Sequence, residues 1–180
     1  MELLTMTTPY TDPQSVHNPA TGTSPPAAWG DTLRDCVEMA TKMPSACMTV
    51  TAAQNLASGT TTAINCGGEL WDTDAQHSTT TNTSRFTVAT GFGGIYAVIC
   101  KLQFGAFAGA NTRVVGVRTN GAAVLWLSDT TGVAPGPRVN GAGLLQLNAG
   151  DYVEMVGYQD SGGIIAITTE SIWWMRMVSR

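Results

Sequence analysis

Charge is what this sequence has least of. Only 12% of its 180 residues are charged, about half of the ~25% usual in a soluble domain. The nine Lys and Arg are scattered without a basic run, and the formal net charge is −4. A nucleic-acid partner requires clustered cations against its phosphates, so none is expected. Histidine is scarce, with two, and the four cysteines Cys36, Cys47, Cys66 and Cys100 form no CxxC. No zinc site of usual spacing can be written from them. No apolar run reaches the roughly 18 residues that a spanning helix needs. Met1–Tyr10 also lacks the cationic and apolar regions of a secretory leader. Neither a membrane span nor a leader is therefore expected.

Catalytic signals are absent in the same way. There are many serines but no nucleophile elbow around any of them. The glycines of Gly91-Phe92-Gly93-Gly94 lead into a strand pattern, so they do not make a phosphate loop, which opens a helix. No pair of carboxylates stands out for glycoside cleavage. The sequence predicts no catalytic residue, no cofactor and no enzyme.

What is present is apolar residues at 43% and an abundance of Gly, Ala, Thr, Ser and Asn. That mixture suits short strands and tight turns. Six of the eight prolines, Pro9, Pro13, Pro19, Pro25, Pro26 and Pro44, precede residue 45. Proline fixes φ and removes a donor, so this region is not a sheet core. We read 1–44 as an extended Pro/Thr-rich arm and 45–180 as the folded domain. Within the arm, Leu33, Cys36, Val37 and Ala40 share one face of a short helix near 31–42. Asp31 caps that helix and Pro44 stops it.

From Cys47 onward the pattern is period two with turn punctuation. Strands are expected at Met48–Val50, Thr60–Asn65, Arg85–Val88, Gly94–Phe104, Arg113–Thr119 and Ala122–Leu127. Further strands are expected at Leu144–Leu147, Tyr152–Gln159, Ile164–Thr168 and Ile172–Val178. In the long strand, Tyr96, Val98, Cys100, Leu102 and Phe104 point one way. Asn120-Gly121 marks a hairpin, and Asn140-Gly141 reads as a turn. Nine or ten short strands imply an antiparallel sandwich or jelly roll. Cys100 behaves as a small buried hydrophobe. Cys47 and Cys66 could bridge two strands, but reduced thiols are the favoured reading.

The order Phe86-Thr87-Val88, Gly93-Gly94-Ile95-Tyr96-Ala97-Val98, Asn120-Gly121 and Leu147-Asn148-Ala149-Gly150-Asp151-Tyr152-Val153 resembles the tumour necrosis factor-like jelly roll. It is similar to the branch that includes complement globular heads, across about residues 70–180. A second resemblance covers the front. Asp12 through Gly22 and Pro26 through Asp31 look like the opening of virion structural proteins of tailed bacteriophages. Trp71 through Ser78 looks like the segment that opens the jelly roll in phage members. The collagen stalk of the complement branch is missing, and a Pro/Thr arm replaces it.

The resemblance implies a homotrimer on a virion surface, assembled in bacterial cytoplasm. Two strands support the trimer independently, because they are apolar on both faces and so need cover on both. The expected interface is Tyr152, Val156, Tyr158, Ile172, Trp174 and Val178. Capsid anchoring is expected of Pro13, His17, Pro19, Trp29, Leu33 and Val37 in the arm, against major capsid protein or another virion protein. Asp72, Asp74 and His77 form a D-x-D-x-x-H that could hold a divalent cation, but the Thr- and Ser-rich surroundings favour a solvated loop and no metal is assigned. The expected function is capsid decoration. The alternative is a minor tail or receptor-binding module for a host surface glycan, against which the absence of aromatics in the predicted loops counts.

Overall fold

The computed structural model describes residues 43–106, 111–122, 124–132 and 136–180. The arm residues Pro13, His17, Pro19, Trp29, Leu33 and Val37, the helix near 31–42 and Cys36 lie outside the described residues. Contacts divide the chain into two units at Lys42/Met43, and the second unit, Met43–Arg180, holds the strands.

The described residues form twelve strands. The first six are β1 (Ser45–Thr49), β2 (Gln54–Leu56), β3 (Thr62–Ala63), β4 (Gly68–Asp72), β5 (Arg85–Thr87) and β6 (Gly94–Gln103). The last six are β7 (Asn111–Thr119), β8 (Val124–Gly132), β9 (Arg138–Leu147), β10 (Tyr152–Gln159), β11 (Ile165–Ile167) and β12 (Ile172–Ser179). One sheet runs β4-β1-β12-β6-β9. The other runs β3-β10-β7-β8, with β5 also paired to β10. β2 and β11 form a separate two-stranded ribbon. Pairing between these strands is antiparallel throughout, and the two larger sheets face each other across one core.

The core follows from side-chain alternation. In β6, Tyr96, Val98, Cys100 and Leu102 are fully buried while Ile95, Ala97, Ile99 and Lys101 turn outward. In β12, Trp173, Met175 and Met177 join them from the neighbouring strand. From the opposite sheet come Val115, Val117, Val153 and Met155, and Phe86 meets Tyr96 edge to face with centroids 5.6 Å apart. Each such large side chain contributes about 1.5–3 kcal/mol by leaving water. Burial pushes the Cys66 thiol up to about 12 and raises Cys100 as well. Cys47, Cys66 and Cys100 are free, so no Cys47–Cys66 bridge forms.

Asn120 and Gly121 carry φ of 53° and 70°, the left-handed pair that a tight hairpin between β7 and β8 requires. Asn140-Gly141, by contrast, is not a turn. Both residues lie inside β9, which starts at Arg138. The reason lies in β8, where Leu127 is an extra residue at a bulge and packs against the core. Its side chain occupies the space that a Cβ at position 141 would need. Two strands escape the period-two signal. β2 has three residues, and β4 is an edge strand without a buried residue.

Candidate interaction faces

Three places collect the residues singled out from the sequence. The first is the outer face of the β4-β1-β12-β6-β9 sheet. Cross-strand register sets Trp71, Cys47, Trp174, Ile99 and Ala142 in one row. The next row holds Ser45, Arg176, Ala97 and Leu144, and a third holds Thr49, Ile172, Lys101 and Asn140. Trp71 is 45% exposed, Ile99 47%, Val178 47% and Leu144 66%. The half-buried Ile172 and Trp174 lie between them. Cys47, flanked by two tryptophans, is buried, and desolvation raises its thiol pKa. Antiparallel sheets that face water carry polar residues on that side. This sheet carries an apolar patch instead.

The second place is the outer face of β10 and its neighbours. Tyr152 stacks under Arg85, whose guanidinium carbon is 4.0 Å from the ring centre. Beside it, Glu154 is buried yet ionic. Its carboxylate accepts from Arg118 Nε at 2.7 Å, Ser84 Oγ at 2.9 Å and Arg85 Nε at 3.5 Å. Burial alone pushes this carboxyl up, but these hydrogen bonds and the Arg118 charge outweigh it and hold Glu154 below its ordinary value. Further along, Trp126 and Tyr158 meet edge to face with centroids 6.1 Å apart. They wall a cleft of about 520 Å³ with Val114, and Thr61, Ser128 and Asp129 supply polar groups to it.

Gly116 makes that arrangement possible. It sits between Trp126 on β8 and Val156 on β10. A Cβ there would lie 2.8 Å from Trp126 Cε3, so the indole occupies the missing side chain's space.

The six residues expected at one interface therefore divide. Ile172, Trp174 and Val178 share the first face, while Tyr152, Val156 and Tyr158 lie on the opposite side of the sandwich. Val156 corrects the expectation further, because it is fully buried within its own chain, next to the space filled by Trp126. Trp71, Ile99 and Leu144 belong to the first face and were not singled out from sequence. Their signal was present in Ile99 and Leu144, large apolar residues at outward positions of otherwise alternating strands.

The third place is the turn after β4. Asp72 uses its carboxylate on the backbone, accepting from His77 N at 2.8 Å and Asp74 N at 3.2 Å. Asp74 accepts from Thr73 Oγ1 at 2.5 Å. The His77 side chain is sealed from solvent, with Nδ1 2.7 Å from Glu69 Oε1 and Nε2 3.0 Å from the Thr83 carbonyl. Both ring nitrogens lie within hydrogen-bond distance of oxygens of this chain, so neither faces an open position for a cation. Asp72, Asp74 and His77 fold a turn and do not converge as a ligand set; among the described residues no group of three His, Cys, Asp or Glu could hold a metal. No helix among the described residues is long and apolar enough to cross a membrane.

The two facing sheets and their strand order define an antiparallel jelly-roll sandwich of the tumour necrosis factor and complement-head type. No family pattern matches the sequence, and no curated protein matches it. Solved structures do. The globular domain of zebrafish complement 1qA protein is similar with a TM-score of 0.53 at 16% identity, covering 77% of this chain and 99% of that one. Murine APRIL at pH 8.0 is similar with a TM-score of 0.54 at 13% identity, covering 76% and 100%. Eiger TNF from S. frugiperda has a TM-score of 0.53 at 14% identity, covering 76% and 93%. At these identities the likeness shows the fold alone.

Proposed function

We propose that this chain is a non-enzymatic, homotrimeric structural protein that decorates a virion surface. The carrying observation is the apolar outer face of the β4-β1-β12-β6-β9 sheet, centred on Ile99, Trp174 and Trp71. A monomer would leave that face in water, and closed rotational symmetry covers it with identical copies. The low charge of the whole chain agrees with a surface that largely meets other protein. In this reading the jelly roll is the trimerising body, and the arm of residues 1–44 fastens it to capsid protein through Pro13, His17, Pro19, Trp29, Leu33 and Val37. The virion assignment rests on the resemblance of the front of the chain and of Trp71–Ser78 to tailed-phage structural proteins. The chemistry is mechanical: many small contacts staple neighbouring capsid subunits together. The test adds purified protein back to particles that lack it and weighs the particles. Full-length protein should bind while protein deleted for residues 1–44 should not. Binding by neither form would end the decoration reading.

A further inference from the structure

We propose that the Trp126–Tyr158 cleft is a binding site for a neutral saccharide. It lies on the sheet opposite the apolar face argued above to self-associate, so it does not rest on that reading. Several features favour a sugar.

The walls are amphipathic in the way a pyranose ring is. Trp126 is 45% exposed and presents an indole on a β-sheet, held against the space left by Gly116. Tyr158 meets it edge to face at an interplanar angle of 64°, so the two rings form a corner instead of a flat patch. Such a corner receives the C–H face of a sugar ring on one wall and its edge on the other. Val114 completes the apolar floor.

The polar groups suit hydroxyl ligands. Asp129 is exposed at the cleft and its side chain makes no hydrogen bond or ion pair among the described residues, so its carboxylate is open to accept from vicinal hydroxyls. Ser128 and Thr61 add hydroxyls that both donate and accept. Among the described residues no lysine, arginine or histidine lines the cleft, and the one charged side chain there, Asp129, is negative. Phosphates, sialic acids and nucleic acids are thereby disfavoured. The volume of about 520 Å³ falls within the roughly 300–1,000 Å³ of small-ligand sites. A purely apolar ligand would leave Asp129 desolvated and unpaired.

The test titrates ¹⁵N-labelled full-length protein with four neutral sugars, chitobiose, cellobiose, maltose and mannobiose, and separately with anionic sialyllactose, following the Trp126 indole N–H resonance. That resonance is assigned by its loss in Trp126→Ala. At least one sugar should move it saturably, with a Kd on the order of 1 mM. Asp129→Asn should weaken that binding about tenfold, and Trp71→Ala, on the opposite face, should leave it unchanged. In Trp126→Ala, where the Tyr158 backbone amide is followed in place of the missing indole, binding should be abolished while the particle mass in solution stays as in the parent, which separates this site from self-association. Absence of a saturable shift with all four sugars overturns the proposal. So does an affinity unchanged by Asp129→Asn, or a response confined to the anionic sugar sialyllactose.

Discussion

Replacing Glu154 by Gln tests whether the outer face of the second sheet is held by a buried ionic cluster. The carboxylate side chain is 5% exposed, and it accepts from Arg118, Ser84 and Arg85. A hydrogen bond to a charged group contributes about 1.5–3 kcal/mol net. Gln retains one acceptor oxygen, and Arg118 and Arg85 remain 28% and 36% exposed and so keep some water. Both facts reduce the loss to about 2–3 kcal/mol. For a domain of this size that is a fall in Tm of roughly 10 °C. The pH dependence supplies the signature. The folded-state carboxyl is held below its ordinary value of 4.5. Its stabilisation is therefore fully present above the unfolded value and is lost as pH falls through the folded one. Thermal unfolding by circular dichroism, at pH 7 and through the acid range below 4.5, should show the parent losing stability faster than Glu154→Gln. Equal Tm values at pH 7 with parallel acid profiles would refute the cluster as a stabilising feature.

Other outcomes rest on packing. Trp173→Ala empties a fully buried site between β1 and β6 and should cost about 3–5 kcal/mol in denaturant unfolding. Gly116→Ala places a methyl 2.8 Å from Leu125 O, Trp126 Cε3 and Val124 Cγ1. It should cost about 1–3 kcal/mol and shift the Trp126 indole resonance. His77→Ala removes the ring that bridges Glu69 and the Thr83 carbonyl, and about 2–3 kcal/mol of stability should go with it, read by thermal melting.

Gly94–Gln103 was legible because Tyr96, Val98, Cys100 and Leu102 fall at every second position. Tyr152–Gln159 was legible from its aromatic and β-branched residues after the Gly150-Asp151 turn, and the tight Asn120-Gly121 turn carries its own signature. β9 was half hidden, since Gly141 and Gly143 face Leu127 and present no side chain to reveal a buried face. β4 was hidden altogether, because an edge strand without a buried residue has no inside to alternate with. The candidate sites were harder. A strand that is apolar on both faces announces that something covers it, but not which side of the sandwich it lies on. That is why Tyr152, Val156 and Tyr158 were grouped with Ile172, Trp174 and Val178, although the two sets lie on different sheets. Trp126 read as one more strand residue. Its partnership with Tyr158 depends on sheet order, which brings β8 and β10 to either side of β7, and on a glycine in the strand between them.

Self-association through the apolar face is tested most directly by the solution mass of the full-length chain, from light scattering or sedimentation equilibrium, beside the variant carrying Ile99→Glu and Leu144→Lys. Both positions are exposed in the single chain, so the variant should keep its β-sheet circular dichroism. The parent should weigh three times 18.9 kDa and the folded variant 18.9 kDa. A monomeric parent, or a variant that stays trimeric, would contradict the claim that the β4-β1-β12-β6-β9 face holds the copies together.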